Sequence, residues 1–91
     1  MAKYKLQYTS EYKEDIAEFK KIGNKIALKK IDALLKELAE HPKIGTGKPE
    51  QLKRRENCWS RRITKKHRLV YEIKEDVVIV LVLAAFGHYD D

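Results

Sequence analysis

The sequence predicts an α+β domain in which an antiparallel sheet of four to five strands carries an N-terminal two-helix hairpin on one face. Three observations support this class. The first residues alternate between polar and apolar side chains, as in a half-buried strand. Two segments with apolar residues at helical spacing follow, and the last third of the chain contains alternating or continuously apolar runs. The order strand, helix, helix and then three or four strands places the helices together on one face of the sheet.

The first strand is predicted at "YKLQY", where apolar and polar side chains occupy opposite faces. Thr9 or Ser10 can cap the helix that follows, since a hydroxyl accepts a hydrogen bond from a backbone N–H of the first turn. The apolar stripe of this helix consists of Tyr12, Ile16 and Phe19. Gly23 ends the helix, because glycine readily adopts the left-handed conformation found after a helix C-terminus.

The second helix is predicted from Lys25 to about Glu40, with Asn24 as its cap and His41-Pro42 as its end. Its apolar residues at helical spacing are Ala27, Ile31, Leu34, Leu35 and Leu38. The short connection between the two helices predicts an antiparallel hairpin, one side of which needs a sheet to cover it.

The segment "KIGTGKPEQLKRREN" is predicted to be a loop with room for a short strand, because Gly and Pro interrupt it and no helical stripe runs through it. "CWSRRI" and "HRLVYEI" alternate like strands, and the polar turn "TKK" joins them. After the turn "KED", the run from Val77 to Ala85 is apolar on both faces, which predicts a central strand.

Length and composition limit the class of protein. Ninety-one residues predict a single domain spanning 1–91, and 43% hydrophobic with 37% charged residues is typical of a soluble globular chain. No run is long enough to span a bilayer and the N-terminus does not resemble a signal peptide, so a cytoplasmic protein without membrane contact is expected. The single cysteine, Cys58, predicts neither an internal disulfide nor a zinc site.

Positive charge is concentrated in the middle of the chain. The net charge is +6, and residues 43–68 contain ten Lys and Arg against Glu50 and Glu56. This asymmetry favours a polyanionic partner such as nucleic acid, although a charge run is often only a solvated face. Strand alternation places Arg62 and Arg68 on the face opposite the helices, on adjacent strands, where they can bind one phosphate together.

The candidate chemical groups are one carboxylate, Glu50, a group of arginines, and His88 with Tyr89 at the end of the apolar strand. Cleavage of RNA through its own 2′-hydroxyl needs a base, cations for the phosphate and an acid for the leaving 5′-oxygen. All three kinds of group are present, but their spacing alone does not show that they meet.

The motifs "GKPEQLK", "CWSRRITKKHRLVYEI" and the terminal "GHY" resemble, in this order and spacing, the Txe/YoeB family of bacterial toxins, relatives of RelE. The resemblance covers the whole chain and implies the RelE-like fold. It implies a ribosome-dependent, metal-independent endonuclease of a type II toxin–antitoxin module, which cuts mRNA in the ribosomal A site, inhibits translation and uses no cofactor.

The same resemblance assigns roles to residues. Glu50 corresponds to the general base, His88 to the general acid, and Arg68 to the phosphate-binding arginine, with Tyr89 completing the catalytic group. The residues expected to contact RNA or phosphate are Lys53, Arg61, Arg62, Lys65 and Lys66.

The implied partners are the ribosome with its rRNA and mRNA and a cognate acidic, YefM-like antitoxin. Whether the chain also forms a homodimer stays open at this point. Two alternatives stay open. One is a binding module that blocks the ribosome without cleaving RNA, and the other is an inactive member that only binds its antitoxin.

Overall fold

The computed structural model describes residues 3–53 and 55–86. In this part of the chain the elements, in order, are β1 Lys5–Tyr8, α1 Ser10–Lys21, α2 Lys25–Glu40, β2 Glu50–Gln51, β3 Cys58–Arg62, β4 Arg68–Lys74 and β5 Ile79–Ala84. The predicted α+β class and the two-helix hairpin are confirmed.

Both helices begin at the residues whose side chains can cap them. Thr9 Oγ1 accepts a hydrogen bond from the Tyr12 N–H at 3.1 Å, and Asn24 Oδ1 accepts one from the Ala27 N–H at 3.1 Å. Each bond satisfies a backbone donor that has no partner within the helix. Gly23, between the helices, has a φ of +72°, which glycine adopts without steric cost.

The five strands of the described residues form one mixed sheet in the order β1-β5-β4-β3-β2. From β2 to β5 each strand is antiparallel to the next, but β1 is parallel to β5. The prediction of a fully antiparallel sheet is therefore wrong at this edge. Helix α2 ends beside the start of β1, where the Ala39 carbonyl accepts the N–H groups of Lys3 and Tyr4. The loop that follows leads to the end of the sheet where β1 stops, so β2 runs opposite to β1 and three further reversals make β5 parallel to β1.

The last strand is central, as predicted, but shorter than the apolar run. It lies between β1 and β4 and begins at Ile79, whereas Val77 and Val78 belong to the turn after β4. Both valines are exposed, and Val78 has a φ of +55°. Lys74 still belongs to β4, so the turn comprises the four residues from Glu75 to Val78, with a hydrogen bond from the Val78 N–H to the Glu75 carbonyl at 3.3 Å.

The core has two parts on opposite faces of the sheet. On one face the helices bury the larger cluster, which includes Phe19, Leu34, Leu69, Tyr71 and Val82. On the other face Leu52 covers Cys58, Val70 and Ala84 in a smaller cluster. Neither helix in residues 3–53 and 55–86 combines the length and apolarity that a membrane crossing requires. The face away from the helices is thus only partly covered, and its polar residues form the candidate site.

Candidate functional site

Two arginines face each other at one end of the β3–β4 ladder. Arg62 lies directly opposite Arg68 in the register of the two strands, at the pair closest to the connecting turn. Trp59 on β3 and Leu69 on β4 pack into the helix-side core, so alternation directs Arg62 and Arg68 to the other face. The predicted adjacency of the two arginines on neighbouring strands is confirmed.

Arg68 is held rigidly although it carries a full charge. Its side chain is nearly buried, and its Nε donates to Ser60 Oγ at 2.9 Å. Its Nη2 donates to two backbone carbonyls, those of Lys48 and Ser60, each at 3.4 Å. Ser60 is itself 2% exposed and was not assigned a role from the sequence, although it shares the strand face of Arg62. A guanidinium fixed in this way can meet a phosphate without first losing side-chain freedom.

Glu50 lies beside Arg68. It is the first residue of β2 and pairs with Ser60, which places its Oε2 3.8 Å from Arg68 Nη2. The Glu50 side chain is 68% exposed, so this ion pair contributes little to stability. The same exposure leaves the carboxylate accessible to a bound molecule while the guanidinium next to it stays in place.

Further exposed cations lie in the segments next to the strands of this pair. Lys65 and Lys66 lie in the turn that follows Arg62, and this turn is closed by a hydrogen bond from the Ile63 N–H to the His67 carbonyl at 2.9 Å. Lys53, after β2, is also exposed. Four of the residues expected to contact RNA are thus exposed basic side chains on β3 or next to β2 and β3, and we call them the basic rim: Lys53, Arg62, Lys65 and Lys66.

The expectation that Arg61 contacts RNA needs correction. Its side chain is fully buried on the helix side of the sheet, where Nη1 donates to Glu37 Oε1 at 2.8 Å and Nε donates to Tyr71 Oη at 3.2 Å. Strand alternation is the physical reason, because Arg61 shares the face of Trp59, whereas Arg62 points the other way. The same alternation could have placed Arg61 from the sequence.

Burial and pairing act in opposite directions on the partner of Arg61. Burial alone would raise the pKa of Glu37, but hydrogen bonds from Thr46 and Arg61 and the charge of Arg61 together hold that pKa below its ordinary value. The Glu37 carboxylate is therefore ionised and matches the buried guanidinium, with 2.8 Å between Oε1 and Nη1.

His88 and Tyr89 lie outside the described residues. The described chain next to them ends at Phe86, whose backbone N–H and that of Ala85 donate to Asp15 Oδ2 at 3.2 and 2.9 Å. The Phe86 ring lies 4.5 Å from the ring of His67, which precedes Arg68. The end of β5 is thus fixed to α1 and to the β3–β4 connection, which contains Lys65 and Lys66.

The arrangement can bind a phosphate and accept a proton at neighbouring positions. Arg68 and Arg62 offer guanidinium donors on one face, and Glu50 offers a carboxylate within 3.8 Å of Arg68. In the described part of the chain, no cluster of His, Cys, Asp and Glu could hold a metal ion.

Comparison with known proteins gives consistent matches over most of the chain. A family model described as YoeB-like toxin of bacterial type II toxin-antitoxin system matches residues 8–89. Toxin YoeB of Escherichia coli K12 is 40% identical over 86 residues, which cover 93% of this chain and 99% of that protein. The resemblance seen in the sequence motifs is thereby confirmed.

Solved structures agree with the sequence matches. A YoeB/ParE toxin from Agrobacterium tumefaciens is 32% identical and superposes with a TM-score of 0.85 over 93% of this chain and 99% of its own. Staphylococcus aureus YoeB has been solved as a dimer and in complex with YefM, with TM-scores of 0.83 and 0.78, identities of 32% and 33%, and coverage of 97% of this chain and 100% of each. Escherichia coli RelE, at 24% identity, has a TM-score of 0.66, covering 96% of this chain and 84% of its own, and shares the fold.

Proposed function

The chain belongs to the YoeB-like toxins of bacterial type II toxin–antitoxin systems, and from this premise we propose that it is a ribosome-dependent endoribonuclease that cuts mRNA in the ribosomal A site. The observation that carries the proposal is the placement of the Glu50 carboxylate 3.8 Å from the fixed guanidinium of Arg68, with Arg62 directly opposite. A base and a phosphate site are needed side by side for attack by a 2′-hydroxyl.

In the proposed reaction Glu50 takes the proton of the 2′-hydroxyl. The 2′-oxygen then bonds to the adjacent phosphorus, whose bond to the 5′-oxygen breaks, while Arg62 and Arg68 stabilise the negative charge that develops on the phosphate oxygens. His88 gives a proton to the leaving 5′-oxygen, and Tyr89 completes the site next to it. The products are a 2′,3′-cyclic phosphate and a free 5′-hydroxyl, so no water or metal ion is consumed.

Dependence on the ribosome follows from the openness of the site. Glu50 is 68% exposed, so a bound RNA would meet its carboxylate largely in solvent, and we infer that side chains alone do not align the 2′-oxygen with the phosphorus. A ribosome that holds the message in a bent conformation can supply this alignment, which contributes a large part of the rate in such reactions. The basic rim is the surface that we assign to rRNA and mRNA.

Translation of a defined message with purified ribosomes tests the proposal. Primer extension should show new ends at A-site codons with the wild type, and Glu50→Gln or His88→Ala should reduce their formation roughly 100- to 10,000-fold, the usual range for loss of an acid or base. Lys29→Ala, an exposed charge change on α2, is the matched control and should cleave normally.

Two other results would contradict cleavage. If translation stops without new ends, and His88→Ala stops it equally well, the chain is a ribosome-blocking module. If overproduction without any antitoxin is harmless and no cleavage is found, it is an inactive member that only binds its antitoxin.

We also propose a cognate acidic antitoxin of the YefM type as a partner, since a solved relative forms a complex with YefM and the basic rim can be covered by an acidic segment. Co-expression with the small acidic protein of the neighbouring reading frame should restore growth and allow co-purification. Absence of any such frame in the operon, or no complex, would count against this partner.

A further inference from the structure

Arg61 uses all its N–H donors within the protein. A guanidinium has five such donors, and those of Arg61 reach Glu37 Oε1, Tyr71 Oη and three backbone carbonyls in the segment after α2, those of His41, Ile44 and Thr46. The carbonyl contacts measure 2.8, 2.7 and 3.3 Å. The side chain is fully buried, so each of these bonds replaces one that water would have made.

The carbonyls bound by Arg61 belong to the loop that leads to Glu50, and the anchors continue along this loop. The Gly47 carbonyl accepts a hydrogen bond from the Arg62 N–H at 2.7 Å, and the Lys48 carbonyl accepts one from Arg68 at 3.4 Å. Residues 41–48 are therefore tied to β3 and β4 at six positions, three of them by Arg61 and one, Pro42, by Tyr71. Glu50 follows two residues after the last anchor.

The strand that contains Glu50 cannot hold this position alone. β2 consists of Glu50 and Gln51, so only two residue pairs define its register with β3. Such a short edge pairing is weak, and what precedes it must fix where it starts. Tyr71 adds to this fixation, since its hydroxyl donates to the Pro42 carbonyl at 2.6 Å while it accepts from Arg61.

The loop also packs closely against Arg61, Glu37 and the β3 backbone. Gly45 has a φ of +126°, and a Cβ there would collide with Glu37 Oε1 and lie 3.0 Å from Arg61 Nη1. Gly47 has a φ of +85°, and a Cβ there would lie 3.0 Å from the Arg62 carbonyl. Gly45 lets the loop approach the Arg61 guanidinium and the Glu37 carboxylate, and Gly47 lets it approach the β3 backbone at Arg62, which a longer side chain at either position would prevent.

We propose that Arg61 is a positioning residue: it fixes the loop 41–48 on the helix side of the sheet and thereby sets the Glu50 carboxylate beside Arg68 on the opposite side. This inference rests on the proposed function in so far as it concerns cleavage. Arg61 and Arg62 thus serve one site from opposite faces, the first through the backbone of the loop and the second by contact with RNA.

Arg61→Lys tests this role, because an ammonium group has three donors and lacks the planar fork that reaches five separate acceptors. At saturating programmed ribosomes we expect the cleavage rate to fall roughly 10-fold or more, with ribosome affinity changed less than about 2-fold, as for a loss confined to the reacting geometry. A double-mutant cycle with Glu50→Gln shows whether Arg61 acts through Glu50. In the Glu50→Gln background, Arg61→Lys should cause no further loss of cleavage rate. If the double variant instead loses the product of the two single-variant losses of cleavage rate, the proposal is wrong.

A destabilised but unrelated variant separates positioning from general loss of stability. Ile31→Ala removes buried core atoms in α2, and cleavage by this variant should stay near the wild-type rate at temperatures where it is folded. If Ile31→Ala loses as much rate as Arg61→Lys, Arg61 contributes only to stability.

Hydrogen exchange gives a readout that needs no RNA. The Thr46 N–H donates to Glu37 Oε1 and the Arg62 N–H donates to Gly47, so both amides should be protected in the wild type. Arg61→Lys should expose both selectively while the amides of β4 and β5 stay protected, and Ile31→Ala should not. Unchanged protection in Arg61→Lys would refute the positioning role, whether or not the wild type cleaves mRNA. Failure of the wild type to cleave, with the exchange result as expected, would refute only the proposed function.

Discussion

At the scale of single residues, His67 shows how burial selects a charge state. Its ring lies 5.1 Å from Phe19 and 4.5 Å from Phe86, at the point where the β3–β4 turn meets α1 and the end of β5. Burial, with a smaller contribution from the charge of Lys66, lowers the pKa of His67 below its ordinary value of 6.5. The neutral imidazole therefore packs between apolar rings at neutral pH.

This lowered pKa predicts a loss of stability in mild acid. Below pH 6.5 the unfolded chain binds a proton at His67 before the folded chain does, so the free energy of unfolding should fall as the pH drops from 6.5 towards the folded pKa. Urea unfolding at several pH values should show this slope, and His67→Phe, which keeps an aromatic ring, should reduce it. Lys66→Gln should reduce it by less. An NMR titration in which the His67 ring protonates at or above pH 6.5 would contradict the prediction.

At the scale of elements, the end of β5 depends on α1 as well as on its neighbouring strands. Asp15 Oδ2 accepts the backbone N–H groups of Ala85 and Phe86, and Thr9 Oγ1 donates to the Leu83 carbonyl at 2.7 Å. The β4–β5 register shifts between Val70 and Tyr71, close to this point, so the ladder does not continue regularly. Helix α1 supplies the partners that the backbone of β5 lacks beyond the ladder.

Removal of the Asp15 side chain should therefore loosen the end of the strand. We expect Asp15→Ala to lower the free energy of unfolding by about 1–3 kcal/mol, the usual cost of leaving a buried donor unpaired, here the Ala85 N–H. Asp15→Asn keeps an acceptor oxygen and should lose less. Glu14→Ala, the exposed neighbour, is the matched control and should stay within about 0.5 kcal/mol of the wild type. Equal losses in Asp15→Asn and Asp15→Ala would mean that charge, rather than the two hydrogen bonds, matters at this position.

The β4–β5 turn contains a strained residue. Val78 has a φ of +55°, where a β-branched side chain clashes with its own backbone, and it is 40% exposed, so little packing holds it there. Its carbonyl accepts a hydrogen bond from the Lys5 N–H at 3.0 Å, which joins the turn to β1. The turn thus holds Val78 in an unfavourable backbone conformation while its carbonyl forms a hydrogen bond to β1, the edge strand of the sheet.

Relief of this strain should stabilise the protein. We expect Val78→Gly to raise the free energy of unfolding by about 1 kcal/mol, since left-handed backbone costs other residues roughly 1–2 kcal/mol. Val77→Gly is the matched control, because Val77 lies in the same turn without a positive φ, and this change should destabilise instead. Thermal unfolding of both variants decides the matter, and a lower melting temperature for Val78→Gly would show that no strain is stored there.

At the scale of the whole molecule, the sequence predicted what depends on local spacing and missed what depends on distant contacts. The helix limits, the caps Thr9 and Asn24, and the adjacency of Arg62 and Arg68 follow from short-range rules. The parallel pairing of β1 with β5 does not, because it joins the two ends of the chain. The buried role of Arg61 was missed for a related reason: its partners come from α2, β4 and a loop, and only its strand face was readable in the sequence.

The charge distribution of the whole molecule leads to a last prediction about ribosome binding. If Lys65 and Lys66 contact rRNA, the variant with alanine at both positions should release fewer counterions on binding, so its affinity should depend less on salt. The slope of log affinity against log salt concentration should be smaller in magnitude by about 1.5. The cleavage rate at saturating ribosomes should not change. Lys25→Ala with Lys29→Ala on α2 removes the same net charge from the opposite side and is the matched control. If both double variants weaken binding equally, net charge alone attracts the protein to the ribosome and the basic rim makes no local contacts.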